Sequence, residues 1–392
     1  MIDVDSKTGL RKLSRVLVAE FLLANSDAGR AAARSMLDEA EAMLMAVLAD
    51  FVRLPSINAT VMLTTESANR LTDSNPRHSA LLRDGVFILR GELQPETLRT
   101  VLRGDSQRAA FDAVLLIAPE CDGVLVSLLK AVQESEASPI LSLNLNWRLA
   151  EIFSDKRSTD VWLRQHSIAT IPTRTIDNSI AEALRSTAPQ HSHIDLFTKT
   201  VHATADQLAV LKPRDGAGAE GVQIVRLNDH LFQDLPQQCA NNDRWILQPL
   251  MPGIACSVGF IGGGQRGPTT ILAPARQIIV VTDGLVSYQG GQIPCAPTIA
   301  SRITPVAEQI AVALGSFDGY VGTDLLVDLS APEDSEGSVR VVEVNPRLCT
   351  SYVGYRAIAE DNLAAWMLQL QGCKTIQWKT GTVTFSASGV EA

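Results

Sequence analysis

Two carboxylates and an amide, Asp324, Glu343 and Asn345, are the residues whose types and placement point most directly to chemistry. Glu343 and Asn345 belong to Val341-Val342-Glu343-Val344-Asn345-Pro346-Arg347. Side chains alternate along a strand, so this pair is expected on one open side while Val342 and Val344 face a core. Asp324 lies in a second apolar run, Gly319 to Asp328, that an adjacent strand can bring alongside. A few carboxylates completed by substrate phosphates is the ligand set Mg²⁺ prefers. Arg347 is then expected beside a metal-bound phosphate. The same residues also fit an edge strand with solvated polar positions and a proline stop.

Further upstream, Lys212-Pro213 leads into Gly216-x-Gly218-x-x-Gly221 and then Val222-Gln223-Ile224-Val225. A dinucleotide fingerprint opens a helix, whereas these glycines run from strand to strand. Such a hairpin can lay backbone N–H groups on phosphate oxygens, with Lys212 as a point charge. An ordinary surface hairpin with an exposed lysine is the alternative. A third segment, Ser154 to Thr173, begins with a helix that Ser154 or Asp155 can cap, with Val161, Trp162 and Gln165 on its packed face. Lys156 falls in its first turn, where the helix end already favours anions, or is simply a solvated helix residue.

In this order, over roughly residues 145–360, these segments resemble the ATP-grasp superfamily of carboxylate-amine ligases. The resemblance implies that Lys156 and Lys212 bind phosphates, that Gly216, Gly218 and Gly221 form a mobile loop over them, and that Trp245 to Leu250 is the strand and hinge holding adenine, Gln248 and Leu250 included. It implies Asp324, Glu343 and Asn345 as metal ligands, Arg347 at the transferred phosphoryl, and ATP with two Mg²⁺ ions, Mn²⁺ being an alternative. Many members carry an acidic residue in a Gly-x-Glu-x-Ser-Val pattern after the hinge. This chain has Gly253-Ile254-Ala255-Cys256-Ser257-Val258, which leaves that role unassigned. Val16 to Phe21, Ser35 to Leu44, Phe111 to Glu120 and Tyr288 to Pro294 are similar to the tyramine–glutamate ligase branch of methanofuran-type one-carbon cofactor biosynthesis. That likeness implies glutamate and an amine such as tyramine or tyrosine as substrates. Arg276 and a Gln289-Gly290-Gly291 loop are candidates for contacts to carboxylate or acceptor, and Tyr288, Tyr352 and Tyr355 for aromatic packing around the amine. No general base stands out. A ligase for another amino acid, peptide or cofactor is a second reading. A nucleotide-binding protein without turnover is a third, against which the intact Lys212, Asp324, Glu343 and Asn345 argue.

The elements that must position these residues follow from length and pattern. At 392 residues the chain exceeds one ordinary domain. The resemblance implies an α/β ATP-grasp fold, with a parallel-sheet region over 1–150, a small α+β lid over 151–250 and an antiparallel-sheet region over 251–392. Strands are read at Val16 to Leu22, Thr60 to Thr64, Val86 to Leu89, Ala113 to Ala118 and Ile140 to Leu143, alternating with helices that include a long one from Ala33 to Phe51. Lid strands are read at Phe197 to Val201, Leu208 to Leu211, Val222 to Val225 and Trp245 to Leu247. From Cys256 on, strands are broken by Gly262-Gly263-Gly264 and Gly290-Gly291, and Pro305 to Leu314 is helical. A net charge of −9 disfavours nucleic acid or an anionic membrane as a partner. Six scattered cysteines read as reduced thiols, with Cys349 filling core or lining the site. His191 and His193 lack further ligands and read as a polar loop. Glu20 interrupts the apolar run after the basic Arg11 to Arg15 stretch, so no signal peptide is expected, and no run reaches membrane-spanning length. The reading is a cytoplasmic protein with small-molecule substrates, with room for a homodimer.

Overall fold

The computed structural model describes residues 13–104, 110–135, 140–176, 208–216, 218–226, 244–265, 267–333, 335, 337–370, 375–386 and 389–390. The expected strand at Phe197 to Val201, together with His191, His193, Arg11, Cys239 and Cys373, lies outside them.

Continuous apolar runs build the first sheet, because a parallel strand covered on both faces has no side for polar residues. β1 (Arg15–Glu20), β2 (Asn58–Leu63), β3 (Phe87–Arg90), β4 (Ala113–Ile117) and β5 (Leu141–Ser142) pair in parallel in the order β3-β2-β1-β4-β5. Alternate residues feed two cores. Leu17, Ala19, Met62, Val114 and Leu116 pack with the helices Pro95–Arg103 and Val124–Gln133. Val16, Val18, Val61, Leu63 and Leu115 pack with the long helix Arg34–Val52. β1 stops at Glu20 rather than at Leu22 because the Glu20 carboxylate accepts the Leu23 N–H at 2.9 Å and starts the short helix Phe21–Ala24. Strand order reverses between β1 and β4, so the loops after these two strands open a crevice at their carboxyl ends.

Among the described residues the second sheet has twelve strands. β6 (Arg174–Thr175), β7 (Leu208–Pro213), β8 (Gln223–Arg226) and β9 (Trp245–Pro249) form one end. β10 (Ile254–Gly263), β11 (Thr270–Ile271), β12 (Ala275–Thr282), β13 (Leu285–Ile293), β14 (Asp318–Val327), β15 (Val339–Asn345), β16 (Val383–Ser386) and β17 (Gly389–Val390) form the rest. Its main path runs β15-β14-β10-β12-β13-β8-β7-β9-β6, and the two ends meet where Leu285 pairs with Gln223.

Glycine placement corrects two readings, and a helix start a third. Gly290 and Gly291 lie inside β13, so Gln289-Gly290-Gly291 is strand rather than loop. A Cβ on either would strike Phe385 of the neighbouring β16, so glycine serves close strand approach there and not a turn. Gly262 and Gly263 likewise continue β10, and the turn comes at Gly264, whose φ is +53°. The helix expected from Pro305 starts at Pro297, a favoured first-turn position, and runs through Pro305 to Leu314.

A helix not anticipated, Ser351–Ile358, packs on Arg34–Val52. There the buried Asp50 accepts hydrogen bonds from Tyr352 Oη at 2.9 Å and Arg356 Nε at 2.8 Å, joining the first sheet's layer to the chain's last quarter. The described cysteines, Cys121, Cys256, Cys295 and Cys349, are free thiols. Among the described residues no helix is long and apolar enough to cross a membrane.

Candidate active site

Antiparallel pairing of β14 with β15 sets Asp324 directly opposite Glu343 and Gly322 opposite Asn345. The register then slips, with Leu325 opposite Val341, so Val342 is the extra residue of a β-bulge. The expected alternation therefore fails at one position. Val341 and Val344 are buried, while Val342 turns to the same cavity as Glu343. Asp324 accepts from Asn345 Nδ2 at 3.1 Å and from Gln277 Nε2, on β12, at 2.7 Å.

Two lysines meet these carboxylates. Lys156 Nζ stands 3.5 Å from Glu343 Oε2 and donates to the Gly216 carbonyl at 2.5 Å, tying the glycine hairpin to β15. Lys212, on β7, is 4% exposed. Burial lowers its pKa to about 8 against the pull of Glu343. Burial, and after it the charge of Glu343, pushes Asp324 up to about 7. Burial works in the same direction on Glu343, but Lys156 and Lys212 override it and hold that carboxyl below its ordinary value. Two half-buried carboxylates in contact repel unless a cation or a proton lies between them. With an amide beside them and a cavity in front, this donor set fits a hard divalent ion that takes its other oxygens from phosphate and water. Among the described residues no cluster of three or more His, Cys, Asp or Glu offers a protein-only site.

Asp155 caps the helix Lys156–Gln165, accepting the Ser158 N–H at 2.6 Å. Its packed face differs from the expected one: Thr159, Asp160, Trp162 and Leu163 are buried, while Val161 and Gln165 are exposed. Asp160 can be buried because Arg157 and Arg164 pair with it at 2.6 and 2.8 Å, a compensation hydropathy does not report. The hairpin of β7 and β8 turns through left-handed Gly218 and Gly221, with φ of +65° and +71°. Gln248 is buried with its amide donating to Thr173 Oγ1 at 2.8 Å, and Leu250 lies at the cavity mouth.

Lys156, Lys212, Gly216, Gly218, Gln248, Leu250, Arg276, Asp324, Glu343, Asn345 and Arg347 all line one cavity of about 850 Å³. Gly221 supports its hairpin from behind, against Pro213 and Trp245. Arg347 differs from expectation in one respect: its Nε is 2.9 Å from Glu120 Oε1, a buried ion pair that keeps the guanidinium charged despite burial. Of the three candidate tyrosines only Tyr288 lines the cavity. Tyr352 and Tyr355 are fully buried, bonded to Asp50 and to the Gly259 N–H. Cys349 lines the cavity against Gly322, where no Cβ would fit. Four participants had no local sequence signal: Gln277, Glu120, Thr350 and Glu39, the last two joined by a Thr350 hydroxyl bond to the Glu39 carboxylate.

Residues 153–351, half the chain, match the model of the ATP-grasp domain, and residues 94–141 match the pre ATP-grasp 3 domain. The chain belongs to the ATP-grasp superfamily. Enzymes of this superfamily are ATP-dependent ligases that use ATP and Mg²⁺. None of the curated proteins compared with this ATP-grasp chain matches it. Its fold is that of an ATP-grasp superfamily protein from Archaeoglobus fulgidus (TM-score 0.60, 18% identity, covering 95% of this chain and 92% of that one). It is shared with the L-amino acid ligase of Bacillus licheniformis (0.55, 15%, 92% and 74%). The biotin carboxylase domain of the Hydrogenobacter thermophilus 2-oxoglutarate carboxylase, solved as a dimer with MgADP and bicarbonate, is also similar (0.61, 13%, 95% and 74%).

Proposed function

We propose that this ATP-grasp chain is an ADP-forming carboxylate-amine ligase that joins glutamate to tyramine or tyrosine through an acyl phosphate, in methanofuran-type cofactor biosynthesis. The observation that carries the ligase reading is the convergence of two half-buried carboxylates, an amide and two lysines in one cavity beneath a glycine hairpin. Asp324, Glu343 and Asn345 would hold Mg²⁺, which when bound neutralises and aligns the phosphates of ATP. Lys156 and Lys212 bind those phosphates, Gly216, Gly218 and Gly221 shape the hairpin that covers them, and Gln248 and Leu250 border the adenine.

A carboxylate does not form an amide directly because its oxygen is a poor leaving group. Phosphorylation of that oxygen supplies a good one, and the chain's task is positioning and charge neutralisation. Arg347, fixed by Glu120, faces the transferred phosphoryl. Arg276, exposed on the cavity wall, suits the carboxylate of glutamate that does not react. The apolar wall of Ile278, Ile279 and Val281, with Tyr288 nearby, supports an aromatic amine. Closure of the hairpin excludes water from the acyl phosphate.

The test incubates the protein with Mg-ATP, glutamate and a panel of amines, reading ADP release and product mass. ADP formation is expected to require glutamate and to rise with tyramine or tyrosine well above alanine or lysine. Strong preference for an unrelated amine or a peptide, with tyramine and tyrosine inert, would overturn the branch and leave the ligase. ATP binding with no ADP release across the panel would overturn both.

A further inference from the structure

An amine reaches neutral water as an ammonium ion, and it attacks an acyl phosphate only after losing a proton. A ligase site therefore needs an anion for the acceptor that is not already committed to cations. Among the described residues four carboxylates line the cavity: Asp324, Glu343, Glu220 and Glu39. Asp324 and Glu343 are committed to each other, to Lys156 and Lys212, and to Asn345 and Gln277. Glu220 is exposed on the hairpin.

Glu39 is different. It comes from the helix Arg34–Val52 of the first sheet's layer, yet it reaches the cavity wall on the side of Arg347, Tyr288 and Cys349. The obvious cation for it, Arg347, is already matched by Glu120 at 2.9 Å. The Thr350 hydroxyl donates to Oε1 and fixes the carboxylate. Oε2 faces the hairpin tip, 3.8 Å from where a Cβ on Gly218 would lie. An ammonium held at this oxygen is covered when the hairpin lies down, and it sits on the same side of the cavity as the arginine assigned to the transferred phosphoryl.

We infer that Glu39 is the acceptor-amine residue of this site: it binds the ammonium group of the second substrate and takes its proton. This rests on the ligase reading above. The ammonium gives one proton to Glu39, and the freed lone pair attacks the acyl carbon. The C–N bond forms, the C–O bond to phosphate breaks with its electron pair going to phosphate, and the second nitrogen proton leaves with that phosphate.

Hydroxylamine separates the two halves of the reaction, since it is uncharged at neutral pH and traps an acyl phosphate without needing a carboxylate. With Mg-ATP and glutamate, Glu39→Gln is expected to form the hydroxamate within about twofold of wild type. Its kcat/KM for the fastest amine of the panel is expected to fall about 100-fold, the usual cost of losing a charge-assisted hydrogen bond. KM for ATP and glutamate should stay in place, and Glu39→Asp should recover part of the amine activity. Unchanged amine kinetics in Glu39→Gln would overturn the inference. So would a parallel fall in hydroxamate and amide formation, which would make Glu39 a support for Thr350 or the hairpin. Absence of hydroxamate from the wild type would remove the ligase reading and this inference with it, whereas the first two outcomes leave the ligase reading standing.

Discussion

Glu20 offers a quantitative test of how the first sheet is built around the site. It ends β1 with 3% exposure and accepts the Leu23 N–H at 2.9 Å. Burial is the largest influence on it, only partly offset by that N–H, by the one of Leu22 and by Arg347, and its pKa rises to about 7 from 4.5. Between these values the folded chain keeps a proton that the unfolded chain has released, so the stability that Glu20 contributes is full below about pH 4.5 and is lost as pH rises to 7. Each decade in proton affinity is worth about 1.4 kcal/mol, so the loss amounts to about 3 kcal/mol. The Glu20→Gln variant keeps an oxygen for Leu23 N–H and carries no charge at any pH. It should match wild type near pH 5 and exceed it by about 2 to 3 kcal/mol at pH 8. Urea unfolding of both proteins at pH 5, 6, 7 and 8, followed by tryptophan fluorescence, gives the difference directly, because other titrations cancel. A difference curve flat within about 0.5 kcal/mol over that range would refute the reasoning.

Two further predictions concern the site. Replacing Glu343 by Gln keeps side-chain volume between Lys156 and Asp324 and removes the charge, so turnover should fall by at least about a hundredfold with the circular dichroism spectrum unchanged; near-wild-type rate at limiting Mg²⁺ would dismiss the ligand assignment. Amide hydrogen exchange over Lys212 to Val222 should slow when Mg-ATP binds, since backbone donors of a glycine turn are those that close on phosphate, and exchange unchanged at saturating nucleotide would count against a lid.

The elements of the site that neighbouring residues encode were legible in the chain. Apolar runs such as Val16 to Ala19 and Ala113 to Ile117 specify strands because burial on both faces is a local property of the run. Lys212 and the following glycines announce a hairpin because φ > 0 is a local demand, and Asp324 and Glu343 each mark a strand with one polar position in an apolar row. What lay beyond the sequence was any property set by register or docking. One inserted residue turned Val342 toward the cavity, since a bulge reverses alternation without changing composition. Asp160 could be buried only because two arginines of its own helix neutralise it, and Arg347 is held by Glu120 from after β4. Glu39 joins the cavity because the helix Arg34–Val52 docks on Ser351–Ile358 through Asp50, Tyr352 and Arg356. The sequence alone therefore determined which groups could do chemistry. Packing between distant segments decided which of them share a solvent-poor space, because electrostatic partnership depends on separation in space and not along the chain.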